Sequence, residues 1–362
     1  MNIAFLINDL NNKGGTERVT TVVANGLAKR NSIDKVHILS IQNGLNPVYP
    51  VEDDVELSSL NLEGIGVIQR RILAPIRIKK FLKQKNIKIL ICTDIGPYVY
   101  LRNIVYKFCK IVVWEHFNYF NMPRGWRDKI EKKVAARNAD AMVVLGSQDL
   151  NNYKNNVSGI KNIRVINNPL AVKTERTATL KNKRVLAAGR LVHQKGFDML
   201  LDVWAKVQRL GDFKDWKLDI FGDGPDKDAL ELQIDNENII NVYIHPFTSS
   251  LESEYMKSSL FVLSSRYEGF GLVLCEAQAY GLPTVSFDIH EGPKGIIENN
   301  INGYLVTPFD LNEMAEKLSK LMSDPSILES FSRHAKDDLQ RFSLNKVLDK
   351  WENLFEELNN EN

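Results

Sequence analysis

Short, almost unbroken apolar runs recur along this 362-residue chain, and stretches of helical periodicity separate them. Because the runs lack the period-two alternation of half-exposed strands, they predict parallel strands that are buried on both faces. Alternation of such strands with helices predicts βαβ units and therefore doubly wound sheets. In the first half of the chain the strands are expected at Ile3–Ile7, Val36–Ile41, Ile87–Cys92, Ile111–Trp114 and Ala141–Leu145.

The same pattern begins again after a turn signal at Asn168-Pro169. In the second half the strands are expected at Arg184–Ala188, Lys217–Phe221, Asn241–Ile244, Leu260–Leu263 and Thr284–Phe287. The predicted fold class is α/β, with two doubly wound, Rossmann-like domains that face a cleft. We place the domains at residues 1–168 and 169–343, and we expect a C-terminal helix, 344–362, to pack back on the first domain. Ligands of open α/β sheets bind at the carboxyl ends of strands, so the cleft is the expected site.

Composition and the N-terminus exclude several classes of protein. Hydrophobic residues make up 44% and charged residues 25% of the chain, as in soluble globular proteins. No stretch reaches the roughly 20 apolar residues of a membrane helix, and no basic region precedes the first apolar run, as it would in a signal peptide. We therefore expect a cytoplasmic protein. The cysteines, Cys92, Cys109 and Cys275, fit neither a zinc site nor a disulfide set, which predicts buried, reduced thiols.

Charge is distributed unevenly along the chain. Residues 1–165 contain 25 Lys and Arg against 14 Asp and Glu, whereas the remainder contains 22 against 31. A basic first half indicates an anionic partner. One stretch that interleaves cations with apolar residues contains Arg70, Arg71, Arg77, Lys79, Lys80, Lys83, Lys85 and Lys88.

Two interpretations of this basic stretch remain open. A basic amphipathic helix suits the anionic inner leaflet of a membrane, where the protein would be bound peripherally. An ordinary surface helix with a solvated basic face has the same sequence pattern. Nucleic acid is a poor alternative as a partner, because aromatic residues do not alternate with the cations in a recognised binding motif.

The strongest site signal is a pair of glutamates, Glu268 and Glu276, around a glycine-containing segment. A helix is expected over Phe270–Tyr280, so that Glu268 precedes it and Glu276 lies nearly two turns inside. The free amides at its start lie at the positive end of the helix dipole, which suits a diphosphate. These amides belong to Phe270, Gly271 and Leu272. The carboxylates can accept hydrogen bonds from sugar and ribose hydroxyls, but for a lone pair an acidic cap and a solvated helix glutamate explain the pattern better.

A second segment, Gly189 to Gly196, follows the first strand of the second half. Gly189 permits a close turn. Arg190 and Lys195 can converge on anionic oxygens, the arginine through its planar fork and the lysine as a point charge. Two exposed loop cations are an equally good explanation of this segment taken alone.

Two segments of the first half also follow expected strands. Gly14-Gly15 opens the first helix, where backbone amides can approach a phosphate, although a simple strand-to-helix turn has the same residues. His116 ends a strand at the expected ligand edge and can contact a transferred sugar. A lone histidine is more often a satisfied structural residue.

Taken in this order and spacing, the segments resemble the retaining glycosyltransferases of family 4, also called group 1, which have the GT-B fold. The resemblance covers essentially the whole chain and is strongest over residues 184–307. It implies that Glu268 holds donor-sugar hydroxyls and Glu276 the ribose, with His116 beside the sugar. It further implies a diphosphate site that is formed by Gly15, Gly189, Arg190 and Lys195. The start of the helix, at Phe270, Gly271 and Leu272, would support the leaving group.

The resemblance also implies a reaction. A hexose or N-acetylhexosamine would move with retention from a nucleotide sugar, UDP being favoured over GDP, to a glycan acceptor. If the basic stretch binds the inner leaflet of the membrane, the acceptor is expected to be a lipid-linked glycan. The product would be an O-antigen, capsule or lipopolysaccharide, and neither a metal ion nor a cofactor is expected. Ile244–Phe247 departs from the family's glycine-containing turn, so contacts to the donor base are not assigned.

Two other functions remain as alternatives. The first is a nucleotide-sugar epimerase on a related two-domain scaffold, which would need no separate acceptor. The second is a non-catalytic sugar-nucleotide binding protein. The presence together of Arg190, Lys195, Glu268 and Glu276 argues against the second, because binding alone does not require the full set of charges.

Overall fold

The structure is a computed structural model that describes residues 1–101, 109–122, 124–172, 175–290 and 292–360. The chain divides into two compact units. Unit 1 comprises Met1–Ala171 and Arg341–Asn362, and unit 2 comprises Val172–Gln340. Each unit is built around its own parallel sheet, as the two series of apolar runs predict.

Within the described residues, unit 1 contains a seven-stranded parallel sheet in the order β3-β2-β1-β4-β5-β6-β7. Its strands are β1 (Asn2–Ile7), β2 (Lys35–Ser40), β3 (Val55–Ser59), β4 (Ile87–Cys92), β5 (Lys110–Trp114), β6 (Ala141–Val144) and β7 (Ile163–Val165). Its helices are α1 (Gly15–Leu27), α2 (Val67–Gln84), α3 (Ile95–Tyr98), α4 (Trp126–Asn138), α5 (Ser147–Asn156) and, from the C-terminal end of the chain, α12 (Leu344–Asn360).

The C-terminal helix α12 packs on the sheet of unit 1. Its buried residues repeat at helical spacing and form one apolar stripe: Val347, Leu348, Trp351, Leu354, Phe355 and Leu358. The Trp351 ring lies 5.1 Å from the Trp114 ring in an edge-to-face contact. Leu348 packs so closely on α1 that a Cβ added at Gly26 would lie 2.7 Å from it. Residues 361 and 362 lie outside the described part of the expected helix.

Unit 2, within the described residues, contains a six-stranded parallel sheet in the order β10-β9-β8-β11-β12-β13. Its strands are β8 (Arg184–Ala188), β9 (Lys217–Phe221), β10 (Val242–His245), β11 (Leu260–Leu263), β12 (Thr284–Phe287) and β13 (Gly303–Val306). Its helices are α6 (Phe197–Leu210), α7 (Lys227–Asn236), α8 (Glu252–Met256), α9 (Leu272–Ala279), α10 (Leu311–Ser323) and α11 (Pro325–His334).

The expected strands are present, and the sequence pattern missed three more. The missed strands β3, β7 and β13 all lie at sheet edges. An edge strand is only partly covered, so its sequence need not be uniformly apolar: in β3 only Val55 is buried, and β7 has three residues. In the described part of the chain no helix is long and apolar enough to span a bilayer. The prediction of buried free thiols at Cys92, Cys109 and Cys275 is confirmed.

Candidate active site

Lys195 and Glu268, which the sequence predicts as separate donor contacts, are partners in unit 2. Lys195 Nζ lies 2.6 Å from Glu268 Oε1, and the Ser265 hydroxyl donates to the same oxygen at 2.6 Å. The two charged side chains are 16% and 8% exposed, so water screens their attraction less than at an open surface. A cation and a carboxylate held in this way can each turn to a ligand, the lysine to a phosphate and the glutamate to a hydroxyl.

The loops that carry this pair are tied together. We call residues 193–198, after β8, the Lys195 loop, and residues 264–268, after the neighbouring strand β11, the Glu268 loop. Arg266 donates two hydrogen bonds to Asp198, at 2.8 and 2.6 Å. The Ser264 hydroxyl donates to a main-chain carbonyl of the Lys195 loop at 3.0 Å. The Arg266 guanidinium holds the pKa of Asp198 below its usual value, which shows that the link favours the charged form.

Glycines let neighbouring loops approach this place closely. A Cβ at Gly189 would lie 3.2 Å from the side chain of Lys195, so the lysine stem runs directly over that glycine. A Cβ at Gly222 would lie 2.0 Å from the Gly189 carbonyl oxygen, and this distance is too short for any side chain. The glycine after β9 is therefore required by the turn after β8.

Glu276 is a buried residue of α9. It is 1% exposed, and its Oε2 accepts a hydrogen bond from the Tyr255 hydroxyl at 3.1 Å. The Tyr255 ring stacks on Tyr280, with ring centroids 5.3 Å apart. The alternative of a solvated helix glutamate is therefore wrong. Burial of a carboxylate costs free energy unless polar groups bind it, and such burial is typical of a residue in a binding site.

The helix that carries Glu276 begins later than the sequence predicts. Gly271 has φ +90° and ψ 47°, a left-handed conformation that cannot begin a helix, so α9 starts at Leu272. Phe270 and Gly271 precede the helix, and Glu276 lies one turn inside it instead of nearly two. Gly271, the residue before the helix, has no side chain that could cap it, so the first main-chain N–H groups of α9 are directed out of the helix end.

Arg190 is not held in the way that Lys195 is. Its side chain is exposed, and within the described part of the chain it forms no ion pair. Lys195 therefore lies next to Glu268, whereas the Arg190 side chain, which follows the same strand β8, extends into solvent. A role for Arg190 on a diphosphate stays a prediction.

Gly15 is the first residue of α1, directly after the loop that follows β1. The neighbouring Gly14 is the residue before the helix, and a Cβ there would lie 2.2 Å from Glu17 Oε2. An acidic side chain therefore lies at the positive end of this helix. The role of Gly15 against a donor phosphate stays a prediction.

His116 follows β5 and is 7% exposed. Its ring centroid lies 4.4 Å from that of Trp114, and burial lowers the pKa of the imidazole to about 3, so the ring is neutral at ordinary pH. Among the described residues its Nε2 atom has no hydrogen-bond partner. This nitrogen without a partner is consistent with a ligand contact, and the role of His116 beside a sugar stays a prediction.

Two family models match the chain. The model described as Glycosyltransferase Family 4 matches residues 13–173, and the model described as Glycosyl transferases group 1 matches residues 172–338. The chain belongs to the group 1 glycosyltransferases of family 4.

Curated relatives of this glycosyltransferase act in glycan synthesis. The amylovoran biosynthesis glycosyltransferase AmsD of Erwinia amylovora is 28% identical, over 97% of this chain and 99% of its own. An N-acetyl-D-galactosaminyltransferase of Campylobacter jejuni, named for a glycan on PP-undecaprenol, is 27% identical over 99% of both chains. The family match makes the chain a glycosyltransferase, and the comparisons do not support the epimerase alternative.

Solved structures confirm the predicted fold. Sucrose-phosphate synthase from Thermosynechococcus elongatus superposes with a TM-score of 0.87 over all of both chains, at 16% identity. A mutant of TarM from S. aureus, in complex with Fondaparinux, alpha-GlcNAc-glycerol and UDP, superposes with a TM-score of 0.71 at 28% identity. That match covers 79% of this chain, which spans 59% of the TarM chain. This glycosyltransferase has the GT-B fold.

Sequence reasoning missed several residues that contact the predicted residues of the candidate site. Tyr255 and Ser265, which bind the two predicted glutamates, belong to no motif that the sequence displays. Arg266 follows Ser265 directly, and its pairing with Asp198 joins residues that are far apart in sequence. The adjacency of Ser265 and Glu268 was the one available signal.

The departing segment Ile244–Phe247 has an internal role at one position. His245 Nε2 lies 2.7 Å from Asp219 Oδ1, and the His245 ring stacks on Phe221 with ring centroids 4.4 Å apart. The imidazole is thereby engaged within the sheet. The structure gives no reason to assign it to a donor base.

Proposed function

We propose that this protein is a retaining, metal-independent hexosyltransferase. It transfers a hexose or N-acetylhexosamine from a UDP-sugar to a lipid-linked glycan during synthesis of a cell-surface polysaccharide such as an O-antigen, capsule or lipopolysaccharide. The observation that carries the proposal is the Lys195–Glu268 pair, held 2.6 Å apart between cross-linked loops in the unit that also contains the uncapped start of α9.

The bound diphosphate is stabilised by groups that are already in place. Breaking the bond between the sugar and the phosphate puts negative charge on the leaving UDP, and fixed positive groups stabilise that charge in the transition state. Lys195 and the first amides of α9 supply the fixed charge, and the exposed Arg190 arm adds its guanidinium. Because these cations do the work of a divalent ion, neither a metal ion nor a cofactor is needed.

The carboxylates orient the donor. Glu268 turns from Lys195 to the hydroxyls of the sugar, while Glu276, held by Tyr255, accepts hydrogen bonds from the ribose hydroxyls. His116, neutral because it is buried, donates or accepts a hydrogen bond beside the sugar.

Transfer takes place on one face of the sugar. The bond from the anomeric carbon to the UDP oxygen breaks, and a bond from the same carbon to the acceptor oxygen forms on the same face. The acceptor hydroxyl gives its proton to the leaving phosphate oxygen, so no protein base is required. The α configuration of the donor is therefore kept in the product.

The relatives support the choice of substrates. The TarM structure contains UDP, and TarM is 28% identical to this chain. The Campylobacter jejuni relative is named for an acceptor on PP-undecaprenol, which is a lipid-linked glycan. A UDP-sugar and a polyprenyl diphosphate glycan are therefore the first substrates to test.

The experiment is a panel of UDP- and GDP-sugars, offered with lipid-linked acceptors and scored for nucleotide release and for the anomeric configuration of the product by NMR. We expect release from a UDP-sugar, an α product and no loss of rate in EDTA. Lys195→Ala and Glu276→Ala each lower the rate at least about tenfold, the size expected of one lost charge-assisted contact. The control is Lys183→Ala, which removes the exposed Lys183–Asp215 pair of the same unit and leaves the rate unchanged. Full activity in both site variants contradicts the site, and a β product contradicts retention.

The surface of unit 1 supports a membrane-bound acceptor. On α2, Ala74, Ile78 and Leu82 face the core, whereas a second row, which runs along the helix in steps of three or four residues, is exposed to solvent. That row is apolar in its first half, where Ile68, Ile72 and Ile76 are 78%, 60% and 61% exposed, and it continues as Lys79, Lys80 and Lys83. We call these six residues the α2 stripe. Exposed isoleucines beside lysines match a bilayer with anionic headgroups, in which the apolar part inserts and the basic part pairs with lipid phosphates.

Liposome flotation tests this surface. We expect the protein to float with vesicles that contain anionic phosphatidylglycerol at low salt, and to lose most of that binding after Ile72→Glu with Ile76→Glu. The matched control is Leu232→Glu in unit 2, where a leucine is 60% exposed without a row of lysines. Equal loss of binding in the control, or no binding by the wild type, contradicts the membrane surface.

A further inference from the structure

Three buried charged side chains of unit 1 hold the segment that directly follows His116. Each binds one main-chain group of three successive residues, 117–119. The hydrogen bonds run from the Phe117 N–H to Glu115 Oε1 (2.9 Å), from Lys132 Nζ to the Asn118 carbonyl (2.5 Å) and from the Tyr119 N–H to Asp149 Oδ1 (2.6 Å). We call Glu115, Lys132 and Asp149 the backbone clamp.

The clamp draws on three separate elements. Glu115 follows β5, Lys132 lies on α4 and Asp149 lies on α5, and they are 2%, 4% and 3% exposed. Burial of a charge costs far more than burial of a neutral amide or hydroxyl, the groups that bind the main chain in ordinary loops. Charge-assisted hydrogen bonds are shorter and roughly twice as strong. The segment is thus held more firmly than a connecting loop requires.

What the segment holds in place is His116. The described contact of its ring is with Trp114, at 4.4 Å between centroids, and in the described part of the chain its Nε2 atom has no partner. The Trp114 ring packs against the imidazole, and the main chain on either side fixes where the side chain begins. We propose that Glu115, Lys132 and Asp149 are positioning residues that hold the neutral His116 imidazole against the transferred sugar. The inference rests on the proposed function, because it deepens the role given there to His116.

The charge state of Glu115 gives the clamp a dependence on pH. The pKa of Glu115 is raised to about 7, chiefly by burial; Asp94, after β4, and Asp149 on α5 also raise it, whereas Lys132 on α4 and the hydrogen bond from the Phe117 N–H lower it. The buried phenol of Tyr153 on α5 also faces this carboxyl group. A carboxylate accepts a stronger hydrogen bond than a carboxylic acid does. The bond to residue 117 therefore weakens as the pH falls through about 7, and the rate should fall with it.

A double-mutant cycle tests the clamp through His116. Glu115→Leu removes the acceptor, and we expect it to lower kcat at least about tenfold while the KM for the donor changes less than about twofold. In a His116→Ala background the same substitution should lower kcat less than about twofold further, because the group that it positions is gone. Calorimetric binding of UDP, measured alongside, reports whether the donor site is intact in each variant.

The matched control is Asp140→Leu, because Asp140, which precedes β6, binds the start of β5, the end opposite Glu115. Asp140 Oδ2 accepts a hydrogen bond from the Ile111 N–H at 2.8 Å, so its loss also frees a main-chain donor next to β5. We expect this variant to have a lower Tm. We also expect its effect on kcat to be the same in the wild-type and His116→Ala backgrounds. Independent, multiplying effects of Glu115→Leu and His116→Ala would overturn the clamp.

A second variant decides the matter if Glu115→Leu does not fold. Glu115→Gln keeps an acceptor for the Phe117 N–H but cannot titrate, so we expect a kcat within about threefold of the wild type above pH 7 and no acid limb below it. An acid limb that persists in Glu115→Gln overturns the clamp. The wild-type rate in the same assay tests the proposed function separately: an inactive wild type overturns both, and an active one with independent effects overturns the clamp alone.

Discussion

Charged side chains are used differently in the two units. In unit 2, Lys195 meets Glu268 side chain to side chain, at 16% and 8% exposure. In unit 1 the backbone clamp meets the main chain, and its three charges are nearly inaccessible. A side-chain pair can open toward a ligand without disturbing the fold, whereas a charge bound to the main chain cannot leave without releasing a loop. The comparison separates the groups that we propose contact substrate from the groups that we propose hold such contacts in place.

The largest effect is expected from exchanging the two charges of the unit 2 pair, Lys195→Glu with Glu268→Lys. The ion pair survives, so the Tm should stay near that of the wild type. The carboxylate now lies where the proposed site needs a cation, so kcat/KM should fall at least about 100-fold. Calorimetry and nucleotide release measure the two quantities on the same sample.

The same exchange at a surface pair is the control. Lys183→Asp with Asp215→Lys inverts a pair at 2.9 Å whose side chains are 53% and 77% exposed, and it should change neither quantity. Retained activity in the exchanged Lys195–Glu268 variant would mean that the pair is structural, and the contrast between the two units would disappear.

A smaller effect is expected when a neutral partner of a site carboxylate is removed. Tyr255→Phe deletes the hydroxyl that donates to Glu276 Oε2 at 3.1 Å and leaves the ring stacked on Tyr280. One lost hydrogen bond to a charged group corresponds to about 1.5–3 kcal/mol at most. We expect the KM for the donor to rise about three- to tenfold, with little change in kcat. Tyr243→Phe, at a half-exposed tyrosine of β10, is the matched control and should change neither parameter. A fall in kcat with an unchanged KM would contradict a role in holding the donor.

Within the described residues, sequence reasoning recovered the strands of both sheets except β3, β7 and β13, which lie at sheet edges. β3 and β7 lack the run of buried apolar residues that marks a strand covered on both faces, whereas β13 is a short strand that is mostly buried. Sequence reasoning also selected Lys195 and Glu268 but not their pairing, since 73 residues separate them and only the adjacency of β8 and β11 brings them together. Sequence reasoning missed the backbone clamp for a different reason. A lysine on a helix is normally solvated, and no local pattern marks Lys132 as buried.

The smallest effect concerns the link between the Lys195 loop and the Glu268 loop. Asp198→Asn keeps the size of the side chain but removes the charge that Arg266 binds. The Asp198 side chain is 46% exposed, so solvent screening limits the lost stability to about 1 kcal/mol or less. Because the loop still carries Lys195, we expect a two- to fivefold fall in kcat/KM, which is about 1 kcal/mol at the transition state. Nucleotide release and thermal unfolding check the two values.

The pH dependence of this link has a definite sign. Hydrogen bonds from Arg266 lower the pKa of Asp198 below its ordinary value of 3.8. A carboxyl group with a depressed pKa in the folded state contributes its stability above the unfolded-state pKa and loses it as the pH falls through the folded-state value. The difference in Tm between the wild type and Asp198→Asn should therefore be constant from neutral pH to about pH 5 and should shrink below about pH 4. A difference that grows in acid would mean that Asp198 is stabilised as the neutral acid, and that the loops are joined by some contact other than this ion pair.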